Sequence, residues 1–155
     1  MDSSKVSTVR KEAEDLFNHG RCCAESVLLA LANAQGINSD LIPKIATGFC
    51  GGMARTGCQC GAISGAMMGI DLVLGRAQPD TSNQDCYEAI QRLIREFEAE
   101  FGSRYCYELL GCDLNTPEGH AAYQARGLKV QCTVYTGKAA EIAAQIITES
   151  STQGA

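Results

Sequence analysis

The sequence predicts an all-α fold: a single-domain bundle of about five to six helices, with a glycine-rich loop that leads into a central helix. Apolar residues recur every three to four positions over several long stretches, which is the period of a helix buried on one face. No stretch of five or more residues alternates convincingly between apolar and polar side chains, as a half-buried strand would. Aromatic residues make up only 6% of the 155 residues and tryptophan is absent, so the core must be aliphatic and rich in small residues, which suits closely packed helices.

The first two helices are predicted in the N-terminal third of the chain. Residues 3–18 place apolar side chains on one face and charged side chains on the other, and the Asn-His-Gly sequence at 18–20 ends this helix. The second helix begins at Cys22 and Cys23, carries one apolar stripe and closes at Gly36.

A shorter third helix and the central helix follow. The third helix is predicted over residues 40–47, because Ser39 is a favoured N-cap and Pro43 falls in the early turns, where proline is best tolerated. Residues 47–74 then open as a glycine-rich loop with three cysteines and run without a breaker into an apolar helix.

Three glycines of the central helix share one face. Gly61, Gly65 and Gly69 recur every four residues, so they stack on one side of the helix. A glycine inside a helix costs about 0.5–1 kcal/mol relative to alanine, so three on one face indicate that something approaches closely. Either another helix or a bound group accounts for this pattern.

The C-terminal half is predicted to contain two long helices. Residues 83–101 form the clearest amphipathic helix, which Gly102 ends. One further turn is predicted at 105–110, and residues 111–127 are predicted to be loop because they contain Asn-Thr-Pro and glycine turn signals. A last helix is predicted over residues 130–150.

Charge and hydropathy exclude several function classes. The net charge is −5 with no basic stripe, which argues against nucleic acid or an anionic membrane as the partner. The first 15 residues are polar, without an apolar signal core, so a cytoplasmic protein is expected. The longest apolar run, residues 61–74, contains an aspartate and is shorter than the roughly 20 residues of a membrane span. Residues 1–4 and 150–155 are expected to fray.

Nine cysteines are the most informative part of the composition. In a reducing compartment structural disulfides are not expected, so metal binding or redox chemistry is the better interpretation. The odd number excludes full pairing within one chain. For Cys22 and Cys50 the sequence favours neither a core position nor a role in a functional site.

The positions of five other cysteines suggest a shared site. Cys23 and Cys60 fall at or next to predicted helix N-termini, where unpaired N–H groups and the helix dipole favour a thiolate and lower its pKa. Cys106, Cys112 and Cys132 lie in or near turns of the C-terminal half. If the two halves pack face to face, four thiols can converge at helix ends.

Other familiar sites do not fit the sequence. Cys86 belongs to a regular apolar stripe and is predicted to be a core residue. Cys58 and Cys60 are separated by one residue, which is not the CxxC spacing of thioredoxin-like or zinc-ribbon sites. Residues 52–59 have the glycine spacing of a phosphate loop but lack its lysine and hydroxyl. His120 lies in a predicted turn and is expected to be solvated rather than a metal ligand.

The cysteine-containing segments together resemble a known family. They are residues 23–27 (CAESV), 48–53 (GFCGGM), 60–66 (CGAISGA) and 106–111 (CYELLG), followed by Cys132. This combination, over about residues 17–144, resembles the small redox proteins named for the cysteine pattern C_GCAxxG_C_C. The order here is Cys-Gly-Ala where the family name has Gly-Cys-Ala, and the chain carries five cysteines beyond the family's four.

The resemblance implies a redox role. The four characteristic cysteines of the family correspond by position to Cys23, Cys60, Cys106 and Cys132. The family is also similar to the non-haem half of split-Soret cytochromes, which carries an iron–sulfur centre, so a cluster on these four cysteines is implied. Gly61 and Gly65 would then leave room beside the cofactor, and Cys58 and Cys112 are the substitute ligands.

Three interpretations remain open at this point. The four thiols hold an iron–sulfur cluster, or Cys23 and Cys60 cycle between dithiol and disulfide. The four thiolates instead hold a structural zinc without electron transfer. The third interpretation is a plain helical interaction module with cysteines in its core. The first interpretation implies an electron donor or acceptor as the partner. The composition is also compatible with a homodimer through an apolar helix face, although no motif specifies one.

Overall fold

The computed structural model describes residues 3–153, and the side chains of residues 3–152. Within that range no strand is present, and one isolated antiparallel bridge pairs Gln59 with Tyr105. The predicted all-α class is therefore confirmed. The helices in chain order are α1 (Ser3–Asn18), α2 (Cys23–Ala34), a 3-10 helix (Lys44–Phe49), α3 (Cys50–Met53), α4 (Gly61–Leu74), α5 (Gln84–Phe101), α6 (Cys106–Leu110), α7 (Pro117–Ala125) and α8 (Lys129–Gln153).

Helix α4 lies at the centre of the bundle, where it packs against α2, α5 and α8. Ile63 and Ile70 are fully buried, and no polar face is needed because the helix has neighbours on several sides. Helix α1 is amphipathic and lies along α8 and α2. It buries Val6, Val9 and Ala13, as the apolar face predicted from the sequence requires.

Helices α5 and α8 are joined by an aromatic cluster near one end. The ring centroids of Phe97 and Phe101 lie 4.8 Å apart, and Phe101 meets Tyr135 of α8 edge-on at the same distance. Such pairs contribute about 0.5–1.5 kcal/mol beyond the area they bury. At the other end Arg92 pairs with Glu149, but this ion pair is part-exposed and contributes at most about 1 kcal/mol.

Two of the three glycines on α4 mark a close crossing with α2. A Cβ atom on Gly65 would lie 3.0 Å from Ala24 Cα and closer still to the Ala24 carbonyl oxygen. A Cβ on Gly69 would lie 2.9 Å from Leu31 Cβ. At these two positions, therefore, it is another helix that approaches.

The third predicted helix differs in type and position. The chain forms a turn in which Ser39 Oγ accepts the Leu41 N–H at 3.2 Å, and the helical segment is a 3-10 helix over Lys44–Phe49. Pro43 has no N–H to donate and directly precedes this helix, so the regular hydrogen bonds begin after it.

Helix α7 lies in the region predicted to be loop, so that prediction was wrong. Thr116 is its N-cap, with Oγ1 accepting the Gly119 N–H at 2.9 Å, and Pro117 occupies the first helical position. A proline after a threonine is compatible with both a turn and a helix start, and Gly119 favoured the turn.

Replacing Thr116 with alanine is expected to lower the free energy of unfolding by about 1 kcal/mol, the usual contribution of an N-cap hydroxyl. Denaturant unfolding of the two proteins measures the difference. Thr81→Ala, at an exposed threonine outside the helices, is the matched control. Equal losses in both variants would show that the cap does not stabilise α7.

Two expectations concern the chain as a whole. None of the described helices combines the length and the apolar character that crossing a membrane requires. The predicted fraying at the ends falls partly on residues 1, 2, 154 and 155, which lie outside the described range, whereas residues 3–4 and 150–153 are helical.

Candidate functional site

Four free thiols line one cavity of about 320 Å³. Cys23 and Cys132 are half-buried, whereas Cys60 and Cys106 are buried. Each comes from a different helix or helix start, so thiols separated by more than 100 residues in the sequence face the same space.

All four thiols lie at the beginning of a helix. Cys23 is the first residue of α2, Cys60 is the N-cap of α4, Cys106 is the first residue of α6, and Cys132 lies in the first turn of α8. The N-terminal ends of α2, α4 and α8 therefore surround the cavity. Their unpaired N–H groups and helix dipoles favour negative charge there.

Backbone hydrogen bonds hold the Cys60 and Cys106 segments together. The Cys106 N–H donates to the Cys58 carbonyl at 2.8 Å, and the Cys60 N–H donates to the Arg104 carbonyl at 2.7 Å. These bonds flank the bridge between Gln59 and Tyr105. The pairing fixes two of the four thiols relative to each other independently of the helices.

A left-handed turn forms another wall of the cavity. Residues 51–55 all have positive φ, between 53° and 71°, and three of them are not glycine. Such a backbone costs roughly 1–2 kcal/mol for each non-glycine residue. The turn places the Gly51 N–H on the Cys23 sulfur. It also packs Gly52 against Cys106, where an added Cβ would lie 2.5 Å from Cys106 Cβ.

The two glycines named as cofactor neighbours differ in position. Gly61 lines the cavity, and a Cβ there would overlap the Cys23 sulfur and lie 2.9 Å from the Phe49 carbonyl oxygen. Gly65 lies outside the cavity, because the Ala24 backbone fills the space above it. The structure thus brings Gly61 to the thiols and assigns Gly65 to the helix crossing.

The thiol pKa values are raised, which corrects the expectation for Cys23 and Cys60. Burial raises the pKa of Cys23, and it raises that of Cys60 well above its ordinary value, with the nearby Cys23 adding to the effect. The Gly51 N–H at Cys23 and the Ala62 N–H at Cys60 act in the opposite direction but are smaller. Desolvation therefore outweighs the helix N-terminus.

The other two thiols follow the same rule. Burial raises the pKa of Cys106 to about 12, with Cys132 and Cys23 adding to it. Burial raises the pKa of Cys132 to about 11, although a hydrogen bond with Tyr123 lowers it. Arg55 also lines the cavity, but it is not among the causes that shift these four pKa values. A positive group bound between the sulfurs would make four thiolates favourable together.

The distances between the four sulfurs indicate how large a positive group the cavity can hold. Among the residues whose side chains are described, only Cys22, Glu25 and Cys50 form a set of three or more possible ligands with all ligand atoms within 4.8 Å of one another. No three of the four cavity sulfurs therefore meet that limit. The four sulfurs are therefore spread around the cavity and do not converge on one point.

Cys22 and Cys50 form a disulfide, contrary to the expectation that structural disulfides are absent. Their Cα atoms lie 6.0 Å apart, and both residues also line the cavity. The bond joins the start of α2 to the left-handed turn. Nothing in the sequence marked these two cysteines, because the pairing depends on how segments 28 residues apart fold together.

The remaining cysteines are distributed as follows. Cys58 is exposed and lies outside the cavity, so it is not brought to the four thiols. Cys112 is buried and close enough to affect the pKa of Cys106 and Cys132. Cys86 is buried, as predicted, and donates to Asp71 Oδ1 at 3.0 Å.

Several polar residues of the cavity were not predicted from the sequence, Arg55 and Gln124 among them. His120, Tyr123 and Thr136 line it, and His120 had been assigned to a solvated turn. Thr136 is fully buried, and its Oγ1 has no hydrogen-bond partner in the part of the chain that the structure describes. A buried hydroxyl without a partner costs about 1–3 kcal/mol, which indicates that an additional group completes the cavity.

Comparison with known proteins gives one match. The family model described as "Putative redox-active protein (C_GCAxxG_C_C)" matches residues 21–146. The matched segment contains all four cysteines whose free thiols line the cavity. Neither the curated proteins nor the solved structures include a match to this chain.

Proposed function

The chain belongs to the C_GCAxxG_C_C family, and from this premise we propose that it is a redox-active protein whose cavity thiols hold an iron–sulfur cluster. The ligands are Cys23, Cys60, Cys106 and Cys132. The observation that supports this proposal most directly is a cavity of about 320 Å³ with four separated thiols in its walls. Four cysteine ligands are the usual set for both [2Fe–2S] and [4Fe–4S] clusters.

The separation of the sulfurs favours a polynuclear group over a single zinc ion. Zinc bonds thiolate sulfur at about 2.3 Å in a tetrahedron, so its sulfur ligands lie about 3.8 Å from one another. No three of the cavity sulfurs lie within 4.8 Å of one another. A structural zinc would therefore require the thiol side chains to rotate or their segments to move closer together, whereas a cluster with several irons spans a wider space.

The electrostatics of the cavity suit the same group. The helix N-termini of α2, α4 and α8 stabilise negative charge, and four thiolates bring four negative charges. The positive charge that bound iron would supply would offset the burial that raises the pKa of Cys60. The Thr136 hydroxyl lines the cavity without a partner among the described residues and would be available to donate to the bound group.

In this proposal the cluster supplies one-electron transfer, and the protein supplies its surroundings. The Gly51 N–H bonds to the Cys23 sulfur, and the Tyr123 hydroxyl bonds to Cys132. Hydrogen bonds to ligand sulfurs are among the features that set the reduction potential. Leu109 and Leu110 line the cavity and limit the access of water. The partner is an electron donor or acceptor.

A dithiol and disulfide couple of Cys23 and Cys60 is the second candidate. Among the nearby thiols Cys23 has the largest influence on the pKa of Cys60, which indicates that these two sulfurs are near each other. Because Gly61 has no side chain, the Cys23 sulfur can lie directly against the start of α4. This couple transfers two electrons and two protons to a disulfide substrate.

Purification without oxygen, followed by visible absorption and by iron and sulfide analysis of the same sample, tests the proposal. We expect a brown protein with stoichiometric iron and acid-labile sulfide. A colourless protein with tightly held zinc, or with no metal after reconstitution with iron and sulfide, would contradict the cluster. In the metal-free case, a loss of two reactive thiols on mild oxidation, mapped to Cys23 and Cys60, would support the dithiol couple.

A further inference from the structure

A second group of possible metal ligands lies partly in the wall of the same cavity, outside the four-thiol set. It consists of Cys22 and Cys50, which form the disulfide, and Glu25 in the first turn of α2. We propose that reduction of the disulfide turns these three side chains into a site for one thiophilic divalent cation of the Zn²⁺ class. Re-oxidation of the two sulfurs releases the ion.

The disulfide holds the two sulfurs together, and the Glu25 carboxylate lies within reach of both. The two sulfurs and a Glu25 carboxylate oxygen all lie within 4.8 Å of one another. A tetrahedral zinc holds sulfur at about 2.3 Å and carboxylate oxygen at about 2.0–2.2 Å, which places its ligand atoms about 3.5–3.8 Å apart. Once the S–S bond is broken, side-chain rotation is enough to bring the atoms to those separations.

The carboxylate of Glu25 is held in place by both segments that carry the cysteines. Its Oε2 accepts the Cys22 N–H at 3.2 Å, and its Oε1 accepts the Thr47 hydroxyl at 2.7 Å. Each oxygen keeps a lone pair for a metal ion. Hydrogen bonds of this kind orient a ligand before the metal arrives and raise the affinity of the site.

The three residues are half-buried, so an ion from solvent can reach them. Three protein ligands leave a fourth position for water or for an added thiol, as in zinc sites that are not closed. The site is thus distinct from the four thiols, none of which belongs to this group.

The redox step is balanced by a small-molecule disulfide. The two metal-bound thiolates give up two electrons and form the Cys22–Cys50 bond. The added disulfide takes up those electrons, its S–S bond breaks, and two thiolates leave. The cation departs because a disulfide carries no negative charge to hold it and Glu25 alone is a weak site. Two thiols drive the reverse reaction.

The test counts zinc ions per chain by native mass spectrometry, with the disulfide intact and after anaerobic reduction and removal of the reductant. The reduced protein is expected to bind one Zn²⁺ more than the oxidised protein, and oxidised glutathione is expected to release that ion. Cys50→Ser is expected to abolish the difference. Glu25→Gln is expected to weaken the additional ion by about tenfold or more, and Cys58→Ser, at an exposed thiol outside the group, is the control that retains it.

Equal zinc counts in the oxidised and reduced proteins would overturn the proposal. So would an additional ion that survives in both Cys50→Ser and Glu25→Gln, since it would then be held elsewhere. Repeating the count in Cys60→Ser separates this site from the cavity, because the difference of one ion is expected there whatever the four thiols bind. Glu25→Gln keeps the test decisive if Cys50→Ser does not fold.

Discussion

Replacing Cys60 with serine is expected to remove more than about nine-tenths of the iron from protein purified without oxygen, and with it the visible absorption. Cys60 is buried at the N-cap of α4 and lines the cavity. Loss even of a hydrogen-bond partner behind a metal ligand costs about 10–100-fold in affinity, so loss of a ligand is expected to cost at least as much. A serine hydroxyl is a much weaker ligand than a thiolate for the iron of a cluster.

Two features make this substitution a clean test. Serine is a favoured N-cap residue, so α4 is expected to keep its start, and far-ultraviolet circular dichroism checks that it does. Cys58→Ser removes a cysteine two residues away, at an exposed position outside the cavity, and is expected to retain full iron. Iron lost equally from both variants, or retained in Cys60→Ser, would show that the cavity thiols are not the ligands.

The long amphipathic helices were predictable because the signal is local. The prediction for residues 3–18 agrees with α1, and that for residues 83–101 agrees with α5 to within one residue. In both helices apolar residues repeat on one face, and a glycine marks the end or lies two residues beyond it. The spacing of the buried residues can be read from the sequence of such a stretch alone, so no tertiary information is needed.

Helix α7 shows where local signals become ambiguous. Thr116 and Pro117 begin it, but the same pair is typical of a turn, and glycine at the third helical position strengthens that interpretation. Gly119 is required there because a side chain would overlap the Asp113 carbonyl oxygen. The reason for the glycine is thus a contact with the preceding loop, which only the folded chain shows.

The sequence indicated which thiols could meet, but not the environment in which they lie. The expectation that thiols meet at helix ends agrees with the positions of Cys23 and Cys60, while the direction of their pKa values was wrong. A helix N-terminus can be inferred from a few neighbouring residues, whereas burial depends on everything packed around the sulfur. The Cys22–Cys50 pair escaped prediction for the same reason.

The second prediction concerns the crossing of α2 and α4, on which the cavity depends. Gly65→Ala is expected to lower the free energy of unfolding by about 1–3 kcal/mol, the usual cost of overpacking a well-packed interior. The new Cβ would meet the Ala24 backbone, which cannot rotate away as a side chain can. The helix propensity of alanine offsets about 1 kcal/mol of the cost, so the packing effect is larger than the measured loss.

Two further glycines provide a graded comparison. Gly69→Ala meets the Leu31 side chain, which can adjust in part, so a smaller loss is expected. Gly48→Ala meets nothing within 4 Å and is expected to change stability by less than about 0.5 kcal/mol. Denaturant unfolding gives the order of the three, and equal stability of the Gly65 and Gly48 variants would contradict the close crossing.

The same substitution is expected to affect the thiols, because Cys23 lies one residue before Ala24 and faces the cavity from the start of α2. If α2 moves away from α4 to admit the new methyl group, the Cys23 sulfur moves away from the Cys60 sulfur. Gly65→Ala protein that remains folded is therefore expected to hold less iron than Gly69→Ala protein. The crossing lies deeper in the bundle at Gly69, about one helical turn further from the cysteines, so a shift there changes the cavity less.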